Sequence, residues 1–122
     1  MIHIVDDDEP VRTALSLLLR SFGWQASAFG SARAFLESLR QGDMPDCLLL
    51  DLNMPGMNGA ELMEALASMR VWVPVIIMTG QRDSPLEARA RRAGAREVLN
   101  KPFGDEELKA SIERALANAG GG

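Results

Sequence analysis

Five residues at the ends of short apolar runs carry groups that could do chemistry together. Asp6 and Asp7 follow IHIV (2–5), Asp51 ends CLLLD (47–51), Thr79 ends VPVIIMT (73–79) and Lys101 follows EVLN (97–100). Clustered carboxylates resist ionising together unless a cation offsets them, and hard oxygen donors with spare water positions suit Mg²⁺. A carboxylate beside such an ion can attack phosphorus and become an aspartyl phosphate. Lysine offers phosphoryl oxygens a point charge and threonine a hydroxyl donor. Phosphoryl transfer asks a protein mainly to position groups and offset charge, and this set could do both.

Those residues meet only if the intervening chain folds suitably. Apolar runs at 2–5, 24–29, 47–51, 73–79 and 97–100 alternate with segments of helical periodicity. Val11, Ala14, Leu15, Leu18, Leu19 and Phe22 form one stripe at three- and four-residue steps. Ala32, Phe35, Leu36 and Leu39 form a second, Leu62, Met63 and Leu66 a third, and Leu108, Ile112, Ala115 and Leu116 a last. The fourth helix is marked by its punctuation. Ser84 is its N-cap, Pro85 its first residue, Glu87 the capping-box partner and Gly94 its stop. Leu48–Leu50 and Val75–Met78 are continuous apolar runs, as expected of strands covered on both faces. Strict β-α alternation predicts an α/β fold with a parallel sheet, right-handed crossovers and helices on both faces. Ligands of such sheets bind at the carboxyl ends of the strands, where the five residues fall. The run DDDE at 6–9 then divides: Asp6 and Asp7 face a cation, Asp8 caps the first helix, and Glu9 sits in its first turn beside Pro10.

A chain of 122 residues can bury one core without disulfides or structural metal. Its net charge of −4 argues against direct nucleic acid binding, which normally leaves a basic footprint. The single cysteine, Cys47, lies in an apolar run and reads as a small buried hydrophobe. No basic leader or long apolar span is present, so a cytoplasmic domain without membrane contact is expected. The chain closes with ALANAGGG, which suggests a domain over residues 1–118 and a flexible tail or linker start over 119–122.

Taken together, "IVDDDEPVR", "LLLDLNMPGMNG", "VIIMTG" and "VLNKPF" resemble, in order and spacing, the receiver domain of bacterial two-component response regulators. The variety most similar is the receiver of FixJ-type transcriptional regulators. The resemblance spans essentially the whole chain. It implies the (βα)5 flavodoxin-like, CheY-like fold with strand order 2-1-3-4-5. It also implies that Asp51 is the phosphoacceptor, that Asp7 and Asp51 bind Mg²⁺ directly, and that Asp6 acts through metal-bound water. Asn53 would add its backbone carbonyl, while Thr79 and Lys101 hold phosphoryl oxygens and the Lys101–Pro102 bond is cis. Asn53 and Gln81 would influence the rate of dephosphorylation. The implied partner is a sensor histidine kinase or phosphotransfer protein. The implied role is a switch of the face formed by the fourth helix, the fifth strand and the last helix, which controls transcription through an absent or separate output domain. Such a protein catalyses only its own phosphorylation and dephosphorylation. One departure stands out: the family's usual aromatic, three residues before the lysine, is here Val98, whose β-branched side chain has little rotamer freedom.

Rival readings have distinguishable requirements. A haloacid-dehalogenase-like phosphatase uses similar groups but places its nucleophile after the first strand and needs a cap segment. A flavodoxin-like carrier needs a phosphate loop where this chain has DDDE. A receiver that is never phosphorylated would act only as a protein-binding module. Among the remaining residues, His3 reads as structural, and Met54 and Met57 as loop packing or an adaptable partner surface. Arg89, Arg91, Arg92 and Arg96 read as a solvated helix face, or as a dimer surface facing Asp105, Glu106 and Glu107 of a second molecule.

Overall fold

The computed structural model describes residues 1–119. The expected tail therefore lies, from residue 120 onward, outside the described residues. Ten elements alternate without exception: β1 (Ile2–Val5), α1 (Glu9–Ser21), β2 (Ala26–Phe29), α2 (Ala32–Arg40), β3 (Cys47–Asp51), α3 (Gly59–Ser68), β4 (Val75–Thr79), α4 (Pro85–Arg92), β5 (Glu97–Asn100) and α5 (Asp105–Ala119). All strand pairs are parallel, and the order is β2-β1-β3-β4-β5.

The central strands are buried throughout because both faces of the sheet are covered. Alternate residues divide between two cores. Val5, Leu48, Leu50 and Ile77 pack with α2, α3 and α4. Ile4, Leu49, Ile76 and Met78 pack with α1 and α5. Each buried leucine or isoleucine contributes about 1.5–3 kcal/mol, so the continuous runs in β3 and β4 anchor the register that carries the site. β4 starts two residues later than its apolar run because Pro74 has no N–H for the ladder; its carbonyl still accepts from Leu48 N–H at 2.9 Å.

His3 is fully buried on β1, with ring centroids 5.1 Å from Phe29 and 5.8 Å from Phe35. Burial lowers its pKa, against the opposing pull of Asp43. It is a neutral core residue. Cys47 is likewise buried, and burial pushes its thiol up to about 12, so it is inert at neutral pH.

Two caps differ from expectation. Asp8 occupies the N-cap of α1, but its side chain makes no cap hydrogen bond, and Pro10 in the first turn has no N–H to offer it; separately, the Asp8 N–H donates to Asp6 Oδ1 at 2.9 Å. The neighbouring carboxylate thus takes the loop's amide, and the Asp8 side chain stays exposed. At α4, Ser84 accepts from Glu87 N–H as expected. The Glu87 carboxylate does not close a capping box on Ser84, because it accepts from Asp83 N–H at 3.0 Å and from Arg91 at 3.1 Å. Gly94 ends α4 at φ +115°.

Candidate functional site

Strand register gathers the five residues. Val5 is level with Leu50, so Asp6 and Asp51 leave adjacent strands at the same height. Asp51 pairs in register with Met78, and Thr79 with Asn100, which sets Thr79 one step and Lys101 two steps beyond Asp51. Lys101 N–H donates to the Thr79 carbonyl at 2.8 Å, and the Lys101–Pro102 bond is cis.

Carboxylate oxygens of Asp6, Asp7 and Asp51 all lie within 4.8 Å of one another. Asp6 and Asp51 are buried, whereas Asp7 is exposed at the rim. Lys101 Nζ is 3.1 Å from Asp6 Oδ2 and 3.5 Å from Asp51 Oδ1. Burial, reinforced by the charge of Asp6, pushes the Asp51 carboxyl up to about 6. Lys101 shows the reverse balance: burial lowers its pKa, but Asp51 and Asp6 outweigh it and hold the ammonium above its ordinary value. Three acids against one ammonium leave this edge underneutralised. An oxygen-only donor set with that deficit fits a hard divalent cation such as Mg²⁺.

The other predicted residues lie around these acids. Asn53 N–H donates to Asp51 Oδ1 at 3.3 Å, fixing the start of the loop after β3. Thr79 is fully buried, and its hydroxyl bonds within its own turn, donating to Gln81 carbonyl and accepting from Gln81 N–H, both at 3.1 Å. Val98 is half-buried and packs into the core beneath α3 and α4.

Sequence reasoning gave Gly59 no role, although it belongs to the motif after Asp51. A Cβ at Gly59 would lie 2.7 Å from the Asp51 carbonyl oxygen and 2.8 Å from Leu52 Cα. Its N–H donates to the Leu52 carbonyl at 3.0 Å, so the first turn of α3 rests directly on the backbone that carries Asp51. The available signal was a glycine at the start of an otherwise good helix, where propensity disfavours it.

The Arg-rich segment is more engaged than a solvated face. Arg89 forks onto Glu64 of α3 at 2.6 and 3.0 Å, and Arg91 pairs with Glu87. The partners expected for them in a second molecule are thus met, for these two, by acids of the same chain.

A parallel 2-1-3-4-5 sheet that gathers three carboxylates, a threonine and a lysine at one edge defines a CheY-like α/β domain. The family model of the response regulator receiver domain matches residues 2–113. The transcriptional regulatory protein FixJ of Bradyrhizobium diazoefficiens is 40% identical over 118 residues, 97% of this chain and 57% of that protein. The response regulator protein TmoT of Ectopseudomonas mendocina is 41% identical over 116 residues, 95% of this chain and 52% of that protein. The crystal structure of FixJ-N matches with a TM-score of 0.87 and 39% identity, covering 95% of this chain and 92% of that one. The chain belongs to the response regulator receiver domain family, the receivers of two-component signalling. It spans about half the length of the curated relatives it matches. Among the described residues, no helix is long and apolar enough to cross a membrane.

Proposed function

We propose that this domain accepts a phosphoryl group on Asp51 from a phosphohistidine of a sensor histidine kinase or phosphotransfer protein. The observation that carries this reading is the convergence of Asp6, Asp7 and Asp51 within 4.8 Å beside Lys101. Asp6, Asp7, Asp51 and the backbone carbonyl of Asn53 would hold Mg²⁺, which when bound offsets the negative charge on phosphoryl oxygens.

The chain's own groups then have distinct tasks. An Asp51 carboxylate oxygen attacks phosphorus, the phosphorus–nitrogen bond of the donor breaks, and the histidine leaves with its electron pair. Lys101, already between Asp6 and Asp51, supplies positive charge to a phosphoryl oxygen. Thr79 can donate to another oxygen only by giving up its donor bond to Gln81. That exchange links phosphorylation to the loop leading into α4, whose Asp83 N–H is held by Glu87. The expected consequence is a population shift of the α4-β5-α5 face, with homodimerisation through it on phosphorylation. In this chain, Val98 replaces the family's aromatic, so the Thr79–Gln81 turn is the better placed relay. Water attack, at a rate influenced by Asn53 and Gln81, resets the domain. We take residues 1–118 as the receiver unit, working through a separate output domain in transcriptional control.

Because binding to the folded state alone stabilises it, saturating Mg²⁺ is expected to raise the melting temperature. At one hundred times the dissociation constant the gain is about 2.7 kcal/mol. Excess chelator should reverse it in a thermal scan, and a melting temperature indifferent to Mg²⁺ would remove the metal from this reading.

A further inference from the structure

We infer that Arg12 is a positioning residue for the acidic pair: it locks the Asp6–Asp7 peptide and so fixes where the two carboxylates meet a divalent cation. This rests on the reading of Asp6 and Asp7 as metal-holding acids. Three observations carry it. Arg12 Nη1 donates to the Asp6 carbonyl oxygen at 2.8 Å, the atom that begins the peptide leading to Asp7. The guanidinium lies against Gly30 just beyond β2, where a Cβ would stand 3.2 Å from Nη1 and 3.4 Å from Cζ. Asp6 N–H in turn donates to the Phe29 carbonyl at 3.1 Å, so the residue that Arg12 holds is itself tied to the end of β2, beside the Gly30 that the guanidinium covers.

The turn needs such a clamp. Asp6 is where the chain leaves the strand, and Asp8, which could have fixed the entry to α1, makes no side-chain cap bond. The Asp6 side chain is held by Asp8 N–H and Lys101 Nζ. Its carbonyl accepts from Arg12, which reaches back from the first turn of α1. Groups that orient metal ligands without touching the metal typically matter about ten- to a hundredfold in affinity. Geometry and charge act here with opposite signs. A cation beside the acids repels a second cation, so if only the charge of Arg12 counted, its removal would tighten Mg²⁺ binding.

The test is the Mg²⁺ dissociation constant, measured calorimetrically on the whole chain for the wild type, Arg12→Ala, Arg12→Lys and Gly30→Val, each with its melting temperature in chelator. Arg12→Ala is expected to weaken binding about tenfold. Arg12→Lys, which keeps a donor of similar reach, should recover most of the loss. Gly30→Val, which keeps the arginine but pushes its guanidinium away from the place it holds, should weaken binding to a smaller extent. An Arg12→Ala protein that binds as well as or better than the wild type overturns the inference, as does a lysine variant no better than alanine. If Arg12→Ala does not fold, an unchanged constant in Gly30→Val overturns it instead. A wild-type chain that binds no Mg²⁺ overturns the metal reading of the site, a separate failure from that of the clamp.

Discussion

Replacing Asp51 with asparagine is expected to abolish phosphoryl uptake from acetyl phosphate and Mg²⁺, and at the same time to make the metal-free protein more stable. The first effect follows because an amide cannot supply the attacking carboxylate oxygen. The second follows from the site's electrostatics. Asp51 is buried beside Asp6, and its carboxyl is pushed up from 3.8 to about 6. A carboxyl that holds its proton more tightly when folded loses native stability as pH rises from about 4 to about 6, and the deficit is complete above that. Asparagine keeps the shape and discards the charge. At pH 7 without metal, the variant should therefore be more stable by about 2 kcal/mol, with the gap closing toward pH 4. Denaturant titrations of both proteins across that range, with radiolabelled uptake at neutral pH, read the two effects separately. Uptake by the variant at wild-type stoichiometry would move the phosphoacceptor elsewhere.

The second large effect is expected at Gly59→Ala. In an isolated helix this change would help, by up to about 1 kcal/mol. Here the new methyl group would meet the Asp51 carbonyl oxygen at 2.7 Å and Leu52 Cα at 2.8 Å. Both are backbone atoms at the end of the buried central strand and cannot swing aside. Overpacking against such a wall costs about 1–3 kcal/mol and outweighs the helical gain. The net expectation is a loss of about 2 kcal/mol, on the order of 5–10 °C in melting temperature. Because the displaced backbone carries Asp51, phosphorylation should slow even in the protein that remains folded. Alanine at wild-type stability would mean that α3 can shift without cost.

The fold was legible because its strongest signals are local. Continuous runs such as Leu48–Leu50 and Val75–Met78, separated by amphipathic helices, leave few alternatives to a covered parallel sheet. The ends of those runs pointed to one edge, and the register does bring Asp6, Asp51, Thr79 and Lys101 there. What the sequence could not convey was the choice among competing hydrogen-bond partners. Asp8 has the right type for a cap, yet Pro10 in the first turn has no N–H to offer it, and its side chain makes no cap bond. Glu87 has the right spacing for a capping box, yet Asp83 N–H and Arg91 take its oxygens. Arg89 faced an acid on α3, twenty-five residues earlier, that no helical periodicity could reveal. Gly59 and Arg12 went unnoticed for a related reason. Their importance lies in contacts with backbone atoms of another element, and backbone leaves no pattern in residue types.

The central claim is that Asp51, and no other residue, receives the phosphoryl group. Borohydride reduction of an acyl phosphate converts the modified aspartate to homoserine and marks its position permanently. After incubation with acetyl phosphate and Mg²⁺, reduction and peptide mapping should find homoserine at residue 51 alone, and none when Mg²⁺ is chelated. Homoserine at Asp6 or Asp7, or an unmodified chain in the presence of Mg²⁺, would contradict the account.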